Sequence, residues 1–257
     1  MAEPHEVDVV VVGLGPGGEH LAASLAKAGL SVVGIDRRLV GGECPYFGCI
    51  PSKMMIRAAD ALAEGRRISA LAGSSEVHPE WSLVADRIRD EATDDWDDKV
   101  AVERLEASGA RFLRGHGRLA GPGRVTVTTD DGEQELVVRR GVVLNTGTEP
   151  AVPPIEGLAG TPYWTNRDVV QLRELPTSLV VLGGGAIGCE LAQAFARASS
   201  MARLKSSIPS DGIVPLATSA SIFFTISCTS ASPTTGPLRS LVSIKMMPLP
   251  PRLAGDE

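Results

Sequence analysis

Apolar and polar positions alternate along the chain in a recurring order. Residues 7–12 form a nearly continuous β-branched run, the pattern of a strand covered on both faces inside a parallel sheet. The run passes directly into a glycine-rich turn, Gly13-Leu14-Gly15-Pro16-Gly17-Gly18. Residues 21–29 then carry the small residues of a helix and end at a glycine suited to a C-cap, and residues 31–35 give a second strand stopping at Asp36. Residues 54–64 have the Ala, Leu and Met content of another helix. Residues 66–110 predict helices with a polar interruption near Gly73, and the acid-rich stretch 90–98 reads as a solvated helical face, not a metal site. Trp81 and Trp96 read as packing residues. Strand character returns over residues 111–129, and residues 124–129 and 135–139 flank Asp130-Asp131-Gly132 as a hairpin. Proline and glycine are frequent over residues 151–162, as in a connection. Residues 178–182 then predict a further strand, and residues 190–197 the start of a helix.

The two glycine turns change this from an α/β pattern into a chemical one. Gly13, Gly15 and Gly18 have the spacing Gly-x-Gly-x-x-Gly between a strand and a helix. The first glycine allows the tight turn, the second lets backbone approach a pyrophosphate, and the third lets helix pack on strand. Free amides at the helix start attract the anion, and Asp36 stands where a carboxylate would accept hydrogen bonds from a ribose. Gly183, Gly185 and Gly188 repeat the spacing after the strand at 178–182. Two such units imply two dinucleotides.

Composition narrows the class. The chain has 257 residues, 43% hydrophobic and 22% charged, as expected of a globular protein of one large or two modest domains. Its formal charge of -6 speaks against nucleic acid as a partner. No apolar run approaches the ~20 residues that span a bilayer. The polar, acidic first residues lack a signal-peptide pattern, and 4 cysteines do not make an extracellular disulfide scaffold, so a cytoplasmic protein is expected. His78 has no evident ligand partners, and no metal set is expected.

Cys44 and Cys49 lie five positions apart within Gly41-Gly42-Glu43-Cys44-Pro45-Tyr46-Phe47-Gly48-Cys49-Ile50-Pro51-Ser52-Lys53. A bare pair of cysteines is open to two readings, two buried thiols near a turn or a redox pair, and its neighbours must decide. The segment resembles the redox signature of the FAD-dependent pyridine nucleotide-disulfide oxidoreductases, the group containing dihydrolipoyl dehydrogenase, glutathione reductase and mercuric reductase. The resemblance implies a disulfide between Cys44 and Cys49, with Cys49 facing the flavin and Cys44 exchanging with substrate. Both cysteines would lie near the first turn of the following helix. Glu43 stands where many members carry Thr. The same resemblance puts Gly42 and Lys53 near the flavin, and pairs Lys53 with Glu190. Gly115-His116-Gly117 resembles the family's contact with the flavin adenine, through Gly117. Asn145-Thr146-Gly147-Thr148-Glu149-Pro150 resembles its Ala-Thr-Gly-x-x-Pro segment, so Thr146, Gly147 and Thr148 would pass close to the cofactor. Ala186 stands where some members carry a Tyr gate.

The expected architecture is a Rossmann-like FAD-binding domain over residues 1–150, a three-layer parallel sheet with a small antiparallel β-meander. A connection over 151–177 leads to the start of a Rossmann-like NAD(P)-binding domain at 178–197. There the pattern stops. Residues 198–257 number 60 and hold 12 Ser, 5 Thr and 7 Pro against 3 acidic residues, which predicts a tail that is disordered or out of frame. Residues 222–226 could form a short strand, with nothing nearby to pair with it. No histidine follows His116, so the family's C-terminal His-Glu base from a partner subunit has no counterpart. By the same resemblance, no counterpart of the returning flavin segment or of the dimerisation domain is expected within these residues. The implied activity passes electrons from NAD or NADP through FAD to the Cys44–Cys49 pair and on to a small-molecule or protein disulfide. The alternative is an inactive, truncated nucleotide-binding fragment.

Overall fold

The computed structural model describes residues 5–176, 178–199, 202–205, 223–228 and 239–243. They divide into two compact units, residues 1–51 with 87–149 and residues 52–86 with 150–257. In chain order the first elements are β1 (His5–Val12), α1 (Pro16–Lys27), β2 (Val32–Asp36), α2 (Glu43–Tyr46) and α3 (Cys49–Leu71). They are followed by α4 (Trp81–Arg87), a π-helix (Ile88–Ala92), α5 (Lys99–Ala107), β3 (Arg111–Arg114), β4 (His116–Gly121), β5 (Arg124–Thr129) and β6 (Gly132–Leu144). The elements β7 (Tyr163–Trp164), α6 (Asn166–Val169), β8 (Ser178–Leu182), α7 (Ala186–Ala198), β9 (Ala202–Lys205), β10 (Phe223–Cys228) and β11 (Arg239–Ser243) complete the order.

The first unit is a six-stranded sheet ordered β3-β2-β1-β6-β5-β4. Its first four strands are parallel and its last three antiparallel, with β6 belonging to both sets. The expected parallel sheet and antiparallel β-meander are both present, joined through β6 into one sheet. β1 is covered on both faces, as its unbroken valine run predicts. Val7 and Val10 pack with Val33, Ile35, Val125 and Leu136 on one side, while Val9 and Val11 pack with Leu14, Ala22, Val32 and Leu105 on the other. Val7 and Val10 share a face, three positions apart, because the register against β6 shifts between Val7 and Val9. At that irregularity the Asp8 carboxylate accepts the Ser31 amide at 3.0 Å and pairs with Arg139 and Arg140. The bond from Ser31 is the main reason its pKa is lowered, helped by the two arginines and opposed by desolvation.

In the second unit, Trp81 is buried against Phe195 with ring centroids 5.4 Å apart, and its indole N–H donates to the Leu172 carbonyl at 2.8 Å. Arg197 pairs with Asp60 on α3, and Arg66 donates to the Arg197 carbonyl at 2.6 Å. The sheet here has five strands in the order β7-β11-β8-β10-β9. This corrects the expectation that residues near 222–226 lack a partner, because β10 pairs antiparallel with both β8 and β9, and β11 pairs parallel with β8 and β7. The β-branched and aromatic content of Phe223–Ile226 suffices for a strand once β8 presents an edge. Other parts of the 198–257 tail lie outside the described residues.

Three helical boundaries differ from the sequence reading. α3 begins at Cys49, earlier than residue 54, while Cys44 lies in the separate turn α2. α7 begins at Ala186, inside the glycine motif, as α1 begins at Pro16. The acidic stretch 90–98 is not a helical face. It holds a π-helix and then Asp94, Asp95 and Trp96 at φ of 50°, 55° and 58°, and ends at a buried Asp98.

Candidate functional site

The glycine turn is fixed by close approach. Gly13 sits at φ +94°, and a Cβ there would overlap the Asn145 carbonyl; a Cβ on Gly18 would overlap the Gly13 carbonyl. Around this turn the Gly13 amide bonds the Ile35 carbonyl at 2.8 Å, and the Asn145 side chain donates to the Gly13 carbonyl at 3.3 Å. Gly15 caps α1 without any side-chain hydrogen bond, so the amides of the first turn have no acceptor within the helix. Gly15 leaves room for a ligand's phosphate, its nearest neighbour to an added Cβ being the Asn145 amide nitrogen at 3.5 Å. Asp36, at the end of β2, accepts the Leu14 amide at 2.7 Å and the Arg38 amide at 2.8 Å, one on each oxygen. Those bonds aim the carboxylate and leave lone pairs for a ribose. Gly117 on β4 faces Val12 and Ile35, where a Cβ would come within 3.2 Å of Val12. Thr146, Gly147 and Thr148 follow β6 as an exposed loop, with Gly147 at φ +64°. The residues of the first unit fit a dinucleotide: a cradle that a single Cβ would fill, unused amides and an oriented acid.

The cysteine loop is joined to this cradle. Gly42 takes φ +66°, and a Cβ on it would lie 2.7 Å from the Gly15 Cα, so the loop rests directly on the glycine turn. The Gly41 amide bonds the Leu14 carbonyl at 2.7 Å. Cys44 is half-buried in α2 and Cys49 is exposed at the start of α3. Both are cysteine thiols, so the disulfide expected between them is not formed in this structure. Lys53 and Glu190 are each exposed, and among the described residues no ion pair joins them, which corrects the expected pairing.

The sequence reading missed the residues that hold this loop. Asp98 is 6% exposed, accepts the Val40 amide at 2.6 Å and receives Arg114 on both oxygens at 2.8 and 2.7 Å. The Trp96 indole N–H donates to the Tyr46 carbonyl at 3.0 Å. Cys44 thus lies between two pinned residues, Val40 and Tyr46. The signal for Asp98 was present as an acid run, but its partners are distant in sequence. Tyr46 is 7% exposed, and desolvation, with Asp98, Glu19 and Asp97, raises its pKa against the opposing Arg104.

Cys44 also lines a cavity of about 530 Å³ within the first unit. Pro16, Val40, Tyr46, Ile50 and Val100 give it apolar walls, and Glu19, Asp94, Asp97 and Arg104 give it charge. A half-buried thiol opening on a cavity of this size can meet a small molecule. Among the described residues no group of three or more His, Cys, Asp or Glu could hold a metal ion, and no helix is long and apolar enough to cross a membrane.

In the second unit, Gly183 takes φ +109° and a Cβ on Gly188 would lie 2.7 Å from the Gly183 carbonyl, repeating the geometry of Gly13 and Gly18. Gly185 caps α7 without a side-chain bond. Glu190 lies on α7, exposed. The strand beside β8 differs from its counterpart in the first unit. Val12 aligns with Ile35 one residue before Asp36, whereas Leu182 aligns with Ser243, where the description of β11 ends. The position equivalent to Asp36 lies outside the described residues, so the likeness between the two units is limited to the glycine turn and the helix start.

Fold and residues together define a class: a Rossmann-like dinucleotide-binding domain with a cysteine pair seated on its glycine turn. The chain belongs to the pyridine nucleotide-disulphide oxidoreductase family, whose pattern matches residues 7–208. It is 36% identical over 198 residues to a mercuric reductase of Acidithiobacillus ferrooxidans, a match covering 76% of this chain and 36% of the relative. It is 30% identical over 205 residues to a dihydrolipoyl dehydrogenase of Chlorobaculum tepidum, covering 79% of this chain and 43% of the relative. Among solved structures it resembles the HOCl-induced flavoprotein disulfide reductase RclA from Escherichia coli, with a TM-score of 0.63 and 28% identity over 76% of this chain and 40% of that one. The chain thus spans well under half the length of these relatives. The family is one of oxidoreductases that use FAD and a nicotinamide cofactor.

Proposed function

We propose that the chain carries the thiol-exchange and flavin-binding part of a disulfide reductase, with Cys44 as the exchanging thiol and Cys49 as the resolving one. The observation that carries this is the position of Cys44, which opens on the cavity while its loop rests on Gly15 through Gly42. The Cys44 thiolate attacks one sulfur of a disulfide acceptor, forming a mixed disulfide and releasing one thiolate. Cys49 then attacks the Cys44 sulfur, a Cys44–Cys49 disulfide forms, and the second thiolate leaves. Bound FAD and nicotinamide cofactor supply the two electrons that return this disulfide to the dithiol. The amides at Gly17 and Gly18 would hold the pyrophosphate of FAD, Asp36 its ribose, and Gly117 would leave room for its adenine, with residues 146–148 completing that side. Gly183, Gly185 and Gly188 hold the nicotinamide cofactor. The acceptor is a disulfide, small or carried by a protein, and the compartment is the cytoplasm, where dithiols persist.

Purified chain mixed with FAD should turn yellow, and NADH or NADPH should then generate two thiols per chain that Cys44→Ser or Cys49→Ser removes. A colourless preparation that takes up no FAD overturns the proposal. One observation favours a second reading, a nucleotide-binding fragment without turnover. β10 runs antiparallel beside β8, where a Rossmann unit would place a parallel strand. Yellow protein in which neither nicotinamide cofactor bleaches the flavin supports that reading.

A further inference from the structure

The charge around the Cys44 cavity has a bias that the exchange chemistry does not require. Glu19, Asp94, Asp97 and Arg104 all line it, three carboxylates against one guanidinium, a formal excess of two negative charges. Glu19 and Arg104 bond each other at 2.5 Å, so they largely cancel. Asp94 and Asp97 are left as exposed anions at the rim. Asp97 uses one oxygen to accept the Lys99 amide at 2.8 Å, which fixes its direction without neutralising it. Asp94 sits at φ +50° in the left-handed turn that follows the π-helix. Tyr46, on the cavity wall, has its pKa raised first by burial, with Asp98, Glu19 and Asp97 adding to the rise and Arg104 opposing it. Asp98 itself is tied to Arg114 behind the loop.

The geometry points to Asp94 and Asp97 as specificity-determining residues that select neutral or cationic small disulfides over anionic ones at Cys44. This rests on the proposed exchange role of Cys44. The site is defined by the cavity and its thiol, and the two carboxylates set which acceptors reach it. An anionic acceptor must bring its carboxylates beside two anions at the rim of a recess whose apolar walls focus the field. A cationic or neutral acceptor meets the same apolar walls without that repulsion. The effect acts on encounter and on the mixed-disulfide step, so it appears in the second-order rate constant and weakens with salt.

The test uses the full chain with Cys49→Ser, Cys189→Ser and Cys228→Ser, which leaves Cys44 as its single thiol. Its exchange rate is measured with cystamine, bis(2-hydroxyethyl) disulfide and 3,3′-dithiodipropionate, each divided by the rate of 2-mercaptoethanol with the same disulfide to remove intrinsic reactivity. The normalised rates should fall from cation to neutral to anion, by about tenfold end to end at low ionic strength. Adding Asp94→Asn and Asp97→Asn should compress that span to about twofold, as should 0.5 M salt. Asparagine keeps the acceptor for Lys99 and tolerates the left-handed turn, so these variants preserve the fold. Equal normalised rates, or a span untouched by the two substitutions, overturn the charge selection and leave the exchange role standing. No reaction with any of the three disulfides overturns the exchange role, and this inference with it.

Discussion

Gly42 is the most constrained residue of the loop, because its positive φ and its 2.7 Å approach to Gly15 each exclude a side chain. Gly42→Ala should cost about 1–3 kcal/mol in urea unfolding and abolish FAD uptake by absorbance. Tyr46 gives a pH prediction with a definite sign. Its folded-state pKa is raised, so the folded chain keeps a proton that the unfolded chain has lost. The stabilisation is complete below the ordinary tyrosine value of about 10 and is lost as pH rises through the folded value. The urea midpoint should therefore fall above pH 10, and Tyr46→Phe should flatten that fall. Asp98→Ala would strand Arg114 and the Val40 amide, and should cost about 2–3 kcal/mol by thermal denaturation.

Among the elements, the turn after the π-helix is the least conventional. Three consecutive non-glycine residues in the left-handed region are costly for a side chain as bulky as Trp96. The surroundings compensate: Thr93 is buried and its hydroxyl donates to the Ile88 and Arg89 carbonyls, and the Asp95 amide bonds the Arg89 carbonyl at 2.8 Å. Trp96→Phe keeps the ring but removes the donor to Tyr46. It should lower stability by about 1 kcal/mol and speed amide exchange at Phe47, whose N–H bonds the Glu43 carbonyl. None of this was legible in the sequence, where residues 90–98 show only charge. Asp98 finds its partners 58 and 16 positions away, and no local pattern announces them. β1, α1, β2 and Asp36 were legible because their cues are local: a run of valines, glycines at fixed spacing, an acid at a strand end. Cys44 and Cys49 could be singled out by motif, but the cavity beside Cys44 could not, since its walls come from α1, the loop and α5.

At the scale of the whole molecule, the chain carries two glycine turns in two compact units, and each should respond to its own ligand. FAD at a hundred times its Kd should add about 2.7 kcal/mol of stability, read as a rise in melting temperature. Hydrogen exchange should show the protection concentrated at residues 13–18, 36–42 and 117, while NADH protects residues 183–188. The early strands read well at this scale because a parallel sheet buried on both faces writes its position into consecutive residues. The second sheet did not, because β10 and β11 are recruited from Ser- and Pro-rich sequence whose strand character emerges only beside β8.

The contact of Gly42 on Gly15 makes the thiol loop and the nucleotide cradle two ends of one thermodynamic cycle. Whatever factor a dinucleotide imposes on the equilibrium between dithiol and disulfide, closing that disulfide imposes on the affinity for the dinucleotide. Oxidation state and occupancy are therefore conjugate variables in this chain, and measuring the dissociation constant in oxidised and reduced protein yields the shift in reduction potential without an electrode.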